Sequence, residues 1–356
     1  DMKKIKVMAL SDLHLGESEG LLYNKLPNIL DILVAKVSEL ANGGGGIEDG
    51  IEELVLIGDI ADLSEARPED AYANTMDFLK ALFKKVNVDK VVYIPGNHDH
   101  HLWVEMLESH YGKGYKECTP KTGVSIQRPK PLLDRCIPTD YKGDVEAYYP
   151  FYKIRIDKSI FLFDHGHLFS STLNKAAGPV SSLEEIEEKT WEFMEKIWFQ
   201  GGKTPWIYNL REKIYDWARW ISLRAGHPTR GVSFKEDSTP VFDDGMRDRI
   251  VTYLEKMVKL SMDTDDFHLV FGHTHYGGRV LKDDRKVRIN SRFINLWNTG
   301  GWLVPSEVFS PDAFIFYIEQ TQNGLRPQAY KLVGREGGEV GDYDRAILKE
   351  IVKRIG

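Results

Sequence analysis

Short apolar runs alternate with amphipathic stretches along the first part of this chain. Residues 5–10 are apolar, and from Leu21 to Leu40 the residues Leu22, Leu26, Ile29, Leu30, Leu33 and Val37 recur at helical spacing on one face. Residues 54–57 and 91–94 are again β-branched or aromatic apolar runs, and Ala71 to Lys85 between them reads as a helix. Gly43 to Gly46 read as a surface turn. Strands alternating with helices predict a largely parallel sheet buried on both faces.

Further along, residues 146–164 read as a hairpin with Asp157–Lys158 in its turn. Strands are predicted at 267–271, 292–297 and 313–320, enough for a second sheet, and a terminal helix from Tyr343 to Ile355. The stretch between His167 and Phe267 differs: it is helical in pattern and rich in tryptophan. Ser182 with Glu185 fits a capping box, Gly201–Gly202 end that helix, and Pro205 opens another carrying Ile207, Leu210, Ile214, Trp217 and Ile221. A third helix follows Asp243–Asp244, with Met246, Ile250, Leu254, Met257 and Val258 at helical spacing. The expected organisation is a core in two parts, 1–167 and 267–356, interrupted by a helical cap at 168–266.

Composition narrows the class. The 356 residues are 42% hydrophobic and 28% charged, which suits a globular chain, and no apolar run reaches the length of a membrane span. No signal-peptide pattern opens the sequence, so a cytoplasmic home is the expectation. Cys118 and Cys136 alone give no disulfide framework. A net charge of −7 argues against loose, charge-driven nucleic-acid binding.

The chemistry lies in five short segments: Asp12-Leu13-His14, Gly58-Asp59, Gly96-Asn97-His98-Asp99, Asp164-His165-Gly166-His167 and Gly272-His273-Thr274-His275. Each follows a predicted strand, and the carboxyl ends of strands are where open α/β sheets place their sites. The donors are carboxylate, imidazole and amide with no thiolate, which argues against structural zinc and for manganese, iron, zinc, nickel or cobalt. Asp12, His14, Asp59, Asn97, His165, His273 and His275 are too many ligands for one ion. Two ions roughly 3.5–4 Å apart sharing a carboxylate would use them all, would acidify a bridging water, and would hold a phosphoryl group for in-line attack by the resulting hydroxide. Either His165 or His167 could be the ligand from its segment. Asp99 and Asp164 are expected to brace nearby structure, His100 and His101 to lie at the surface or behind the ligands, and His110, His227 and His268 to be structural.

The order D-x-H, GD, GNHD, HGH and GHTH resembles the calcineurin-like metallophosphoesterase family, with all five motifs matched between residues 12 and 275. The resemblance implies an α/β fold, a four-layer αββα sandwich, with the helical cap as an insertion outside the match. It implies that Asp12, His14 and His275 hold one divalent ion, that Asn97, His165 and His273 hold a second, and that Asp59 bridges them, with manganese the leading choice. The family pattern favours His165 over His167. His98 would contact the substrate and protonate the leaving oxygen, paired with Asp62, which would keep the imidazolium charged.

Leu63 after Asp62 departs from the serine/threonine phosphoprotein phosphatases, which carry arginine there. The UDP-2,3-diacylglucosamine hydrolases are similar in D-x-H, GHTH and a helical insertion, yet carry arginine where this chain has His98. The expected activity is hydrolysis of a phosphodiester or pyrophosphate bond in a sizeable, partly apolar substrate, nucleotide- or lipid-linked. The alternatives are a general phosphomonoesterase, a nuclease, or a metal-binding scaffold without turnover. Trp191, Trp198, Trp206, Trp217 and Trp220 would glue the cap to the body or to a second copy in a homodimer, or line an apolar groove. Peripheral membrane contact through the cap is a further expectation, and Arg211, Arg219, Arg224 and Arg230 are candidate phosphate contacts.

Overall fold

The computed structural model describes residues 4–17, 22, 29–42, 50–64, 66–112, 124–169, 244–255, 266–273, 277–280, 287–289, 292–302, 313–321, 324–333, 335–336 and 339–340. Strands β1 (Lys4–Leu10), β2 (Ile51–Ile57) and β3 (Val88–Ile94) run parallel, and β5 (Asp144–Tyr149) continues them in parallel. The antiparallel strands β12 (Ala313–Thr321) and β13 (Gly324–Val333) extend this sheet on one side, and β4 (Val124–Gln127) closes the other. The result is seven strands in the order β13-β12-β1-β2-β3-β5-β4.

A second sheet has the order β10-β11-β8-β7-β6, with β9 (Gly277–Val280) also paired to β11. Here β6 is Phe151–Ile156, β7 Ser159–Asp164, β8 Asp266–Phe271, β10 Val287–Ile289 and β11 Arg292–Thr299. Strands β7, β8 and β11 are mutually parallel.

The pleat sorts the side chains into layers, because successive residues of a strand point to opposite faces. Phe161 and Phe163 of β7 join Val7, Ala9, Val55, Ile57, Val92, Ile94, Val270, Trp297, Phe316 and Ile318 in a core between the sheets. Their neighbours Ile160 and Leu162 face the other way, with Leu269, Phe271, Ile294 and Leu296. On the outer face of the first sheet lie α1 (Ile29–Asn42), α2 (Pro68–Phe83), α3 (His100–Tyr111) and α4 (Lys130–Arg135). On the outer face of the second, Ile250, Tyr253 and Leu254 of and just beyond α5 (Asp244–Tyr253) cover the strands. Helix, sheet, sheet and helix make the four-layer sandwich.

One expectation is corrected. The hairpin across 146–164 is two things: residues up to Tyr149 belong to β5 of the first sheet, and only β6 and β7 form the hairpin, in the second. Pro150 separates them, since proline lacks the N–H a ladder needs. Strand β13 carries no clean apolar alternation and contains Pro327, which is tolerated because the strand lies at the sheet edge. The third helix expected after Asp243–Asp244 is α5, and it packs on the second sheet. Residues 170–243 and 256–265 of the cap, with its five tryptophans, and the terminal helix lie outside the described residues.

Candidate metal centre

Five strands deliver the motif residues to one place. Asp12 follows β1, Asp59 follows β2, Asn97 and His98 follow β3, His165 follows β7, and His273 follows β8. The two sheets meet there through backbone, with the N–H of Trp302, beyond β11 of the second sheet, donating to the carbonyl of Asp12, beyond β1 of the first, at 3.1 Å. Asp12, His14, Asp59 and His273 all have left-handed backbone, with φ of 51°, 47°, 52° and 65°. Non-glycine residues in this region cost on the order of 1–3 kcal/mol each and persist only where surrounding contacts over-determine them. Such contacts are present: Asp12 N–H donates to Gly58 O at 3.0 Å, His14 N–H to Asp59 O at 2.9 Å, and Trp302 N–H to Asp12 O at 3.1 Å.

The glycines of the motifs follow from the same crowding. A Cβ on Gly96 would stand 2.2 Å from Asp59 Oδ1, and one on Gly272 would stand 2.1 Å from Asp12 Oδ2. The carboxylate of one motif therefore lies over the glycine of another, and any larger residue would displace it.

Two groups of donors result, each with ligand atoms within 4.8 Å of one another: Asp12, His14 and Asp59; and Asp59, His165 and His273. Asp59 belongs to both. Its Oδ2 lies 3.2 Å from His165 Nε2 and 4.0 Å from His14 Nε2, while its Oδ1 accepts the His98 N–H at 2.7 Å. Asn97 Oδ1 sits 3.0 Å from His165 Nε2 and 2.8 Å from His273 Nδ1, which gathers amide and imidazole donors on one side. On the other side, both Asp12 oxygens accept the His273 N–H, at 2.9 and 3.0 Å. Closely spaced oxygen and imidazole donors without a thiolate fit divalent transition metals.

Electrostatics agree with this chemistry. Burial alone would raise the Asp59 carboxyl, but His165, His98 and His14 around it outweigh that and hold it well below the usual carboxylate range. Burial works to lower His165, yet the Asp59 charge beside it prevails and lifts it to about 10. The ring is oriented by its own Nδ1, 3.0 Å from the Ile57 carbonyl.

A third group lies beside the first two. His98 Nδ1 is 3.1 Å from both Asp62 oxygens and 2.6 Å from Ser64 Oγ. Asp62 Oδ2 also meets His14 Nδ1 at 2.8 Å, and Oδ1 accepts from Ser64 N–H and Oγ at 3.2 and 3.1 Å. Asp62 is fully buried, whereas the His98 side chain is 17% exposed. Burial pushes the Asp62 carboxyl up, and the two histidines more than reverse this, keeping it well below its ordinary value.

The other motif residues take structural positions. Asp99 accepts from Ile60 N–H at 3.0 Å, from Gly96 N–H at 2.5 Å and from the Tyr93 hydroxyl, bracing the turn after β3. Asp164 accepts from Gly166 N–H at 2.7 Å and from the Tyr253 hydroxyl of α5. His165 joins the donor groups, while His167 is buried behind it with its ring centroid 5.5 Å away and Nε2 3.4 Å from Tyr149 OH. His100 is buried rather than at the surface, edge-on to Tyr149, and His101 lies 3.6 Å from Glu105. His268 accepts from Trp297 Nε1 at 3.1 Å and stacks on Phe161. His275 lies outside the described residues.

Sequence reasoning passed over three hydroxyls at this site: Ser11, Ser64 and Thr299. Ser11 directly precedes the D-x-H motif and Ser64 lies two residues after Asp62, so proximity was a usable signal. Thr299, at the end of β11, has none.

The sequence profile of the calcineurin-like phosphoesterase family matches residues 5–277. The chain belongs to that family, and it is a metal-dependent phosphoesterase. No curated protein matches it in sequence. Among solved structures it is similar to YfcE, a phosphoesterase from E. coli, at 13% identity over 91% of each chain with a TM-score of 0.31. Wild-type Vps29 from Entamoeba histolytica, complexed with zinc, is similar at 10% identity over 93% of this chain and 99% of the other, with a TM-score of 0.32. Likeness at this level carries no argument about activity. No helix among the described residues is long and apolar enough to cross a membrane.

Proposed function

We propose that this phosphoesterase hydrolyses a phosphodiester or pyrophosphate bond with a pair of divalent transition-metal ions, manganese first among them. The observation that carries the reading is the membership of Asp59 in both groups of donors, which is the place a bridging carboxylate takes between two ions. Asp12 and His14, with His275, would hold one ion; Asn97, His165 and His273 would hold the other. Such ions, when bound, acidify water and neutralise charge on the phosphoryl group.

The chain's own residues do the rest. Because Asp62 occupies Nδ1 of His14, Nε2 is the atom that ring would offer a metal. Asp62 and Ser64 likewise engage Nδ1 of His98, so proton donation to the leaving oxygen falls to its Nε2. The buried, ionised Asp62 favours the imidazolium form that this role needs. The helical insertion expected at 168–266 would select the substrate, a nucleotide- or lipid-linked phosphoester.

The test is hydrolysis of bis-p-nitrophenyl phosphate against p-nitrophenyl phosphate, with manganese restored, in wild type and His98→Ala. A diester preference that depends on His98 supports the reading. A monoester preference would replace it with a phosphomonoesterase, and no turnover with two metals bound would favour a scaffold.

A further inference from the structure

We infer that Ser11 and Thr299 are positioning residues for the metal centre: a relay of two hydroxyls, one from each sheet, that fixes the Asp12 carboxylate. The inference rests on the metal-dependent reading above and extends it to residues outside every motif. Ser11 Oγ donates to Asp12 Oδ2 and is in hydrogen-bond contact with Thr299 Oγ1, which in turn reaches the Phe271 carbonyl at 3.1 Å. Ser11, Asp12 and Thr299 are all fully buried.

Counting protons shows why both hydroxyls matter. Two hydroxyl protons serve three contacts: Asp12 Oδ2, the Ser11–Thr299 pair and the Phe271 carbonyl. With the Ser11 proton committed to Asp12, the Ser11 oxygen is the acceptor of the pair and Thr299 the donor, sharing its proton with Phe271 O. Remove the Thr299 hydroxyl, and Ser11 loses the partner that keeps its proton turned toward Asp12.

The relay closes a ring. Phe271 and His273 stand two residues apart at the exit of β8: the first anchors Thr299 through its carbonyl, and the second donates its N–H to both Asp12 oxygens at 2.9 and 3.0 Å. Asp12 belongs to the first sheet, whereas Thr299, Phe271 and His273 belong to the second or follow it. The spacing between Asp12, in one donor group, and His273, in the other, is therefore set by hydrogen bonds that cross between the sheets. Gly272 leaves the room, since a Cβ there would stand 2.3 Å from Ser11 Oγ as well as against Asp12.

Buried hydroxyls could equally serve only to join the sheets, so the test must separate shape from hydrogen bonding. Thr299→Val keeps the shape and loses the hydroxyl; Thr299→Ser keeps the hydroxyl and loses a methyl. The full chain, stripped of metal, is titrated with Mn(II) by calorimetry, and its metal-free melting temperature is recorded. Residues that orient a ligand typically change metal affinity about 10–100-fold when lost. Thr299→Val and Ser11→Ala should weaken Mn(II) binding by that factor, with Thr299→Ser close to wild type. Wild-type affinity in Thr299→Val would overturn the inference, and so would failure of Thr299→Val to fold where Thr299→Ser folds, because the hydroxyl would then be structural. A wild-type chain that binds no Mn(II) would sink the metal-dependent reading itself and the relay with it, an outcome distinct from normal binding that the variants leave unchanged.

Discussion

Asp62→Asn is the most informative single change at this site, because one buried carboxylate serves two histidines. Its two oxygens have different partners. Oδ1 accepts from Ser64 N–H and Oγ, so an asparagine at this position will keep its amide oxygen there. The amide NH2 then replaces Oδ2, which meets His14 Nδ1 at 2.8 Å. A donor now faces a ring nitrogen that carried the proton. His14 must either lose the hydrogen bond or move its proton to Nε2, the atom proposed to ligate metal. A hydrogen bond to a charged group is worth about 1.5–3 kcal/mol, which corresponds to roughly 10–150-fold in metal affinity. His98 keeps a contact but loses the negative charge that favours its protonated form, and loss of general-acid catalysis costs about 10²–10⁴-fold in turnover. The assay is Mn(II) affinity by competition with a chelator, followed by kcat at saturating Mn(II). Esters of p-nitrophenol, whose leaving group needs little protonation, should lose less turnover than alkyl or nucleoside esters. Wild-type Mn(II) affinity in Asp62→Asn would refute the tautomer argument. An equal loss of turnover for good and poor leaving groups would refute the role of His98 as the acid.

Metal binding should release a proton near pH 7.5. His165, held up at about 10 by Asp59, is protonated in the metal-free protein and must be neutral to ligate. The already ionised Asp59 adds no proton, and affinity should rise with pH up to about 10; calorimetry in buffers of different ionisation enthalpy would show no release if the pairing is wrong. Gly272→Ala should remove most bound metal, because its Cβ would fall 2.1 Å from Asp12 Oδ2; full metal content by elemental analysis would contradict the packing argument. Phe316→Ala, in the core between the sheets, should destabilise the chain by about 3–5 kcal/mol in denaturant unfolding, and a loss under about 1 kcal/mol would mean the layers are not packed as described.

Much of this site was legible in the sequence because its motifs are local. A strand, a glycine and a ligand lie within a few residues of one another; Gly-Asn and Gly-His have a steric cause in the neighbouring carboxylates, and Gly-Asp has one in the Gly96 backbone and the His165 ring. The strands β1, β2, β3, β7 and β8 were visible for the same reason: each is a short apolar run. The split at Pro150 was not, since both halves read as strand and only pairing decides which sheet each joins. Helix α3 was less legible: Leu102, Trp103, Met106 and Leu107 have helical spacing, but Val104 and His100 are buried as well, so the apolar face is not cleanly set off from a polar one.

The sequence by itself determined which residues could hold metal, the strand that carries each, and a donor set of oxygen and imidazole without sulfur. Residue type and period are properties of single positions and their near neighbours, so the chain states them directly. Only the tertiary structure decided that Asp59 is shared by two groups, that Asp62 serves His14 as well as His98, and that Thr299 reaches Asp12 through Ser11. Those relations join residues tens to hundreds of positions apart, and they exist because the open ends of two packed sheets converge, which no local pattern encodes.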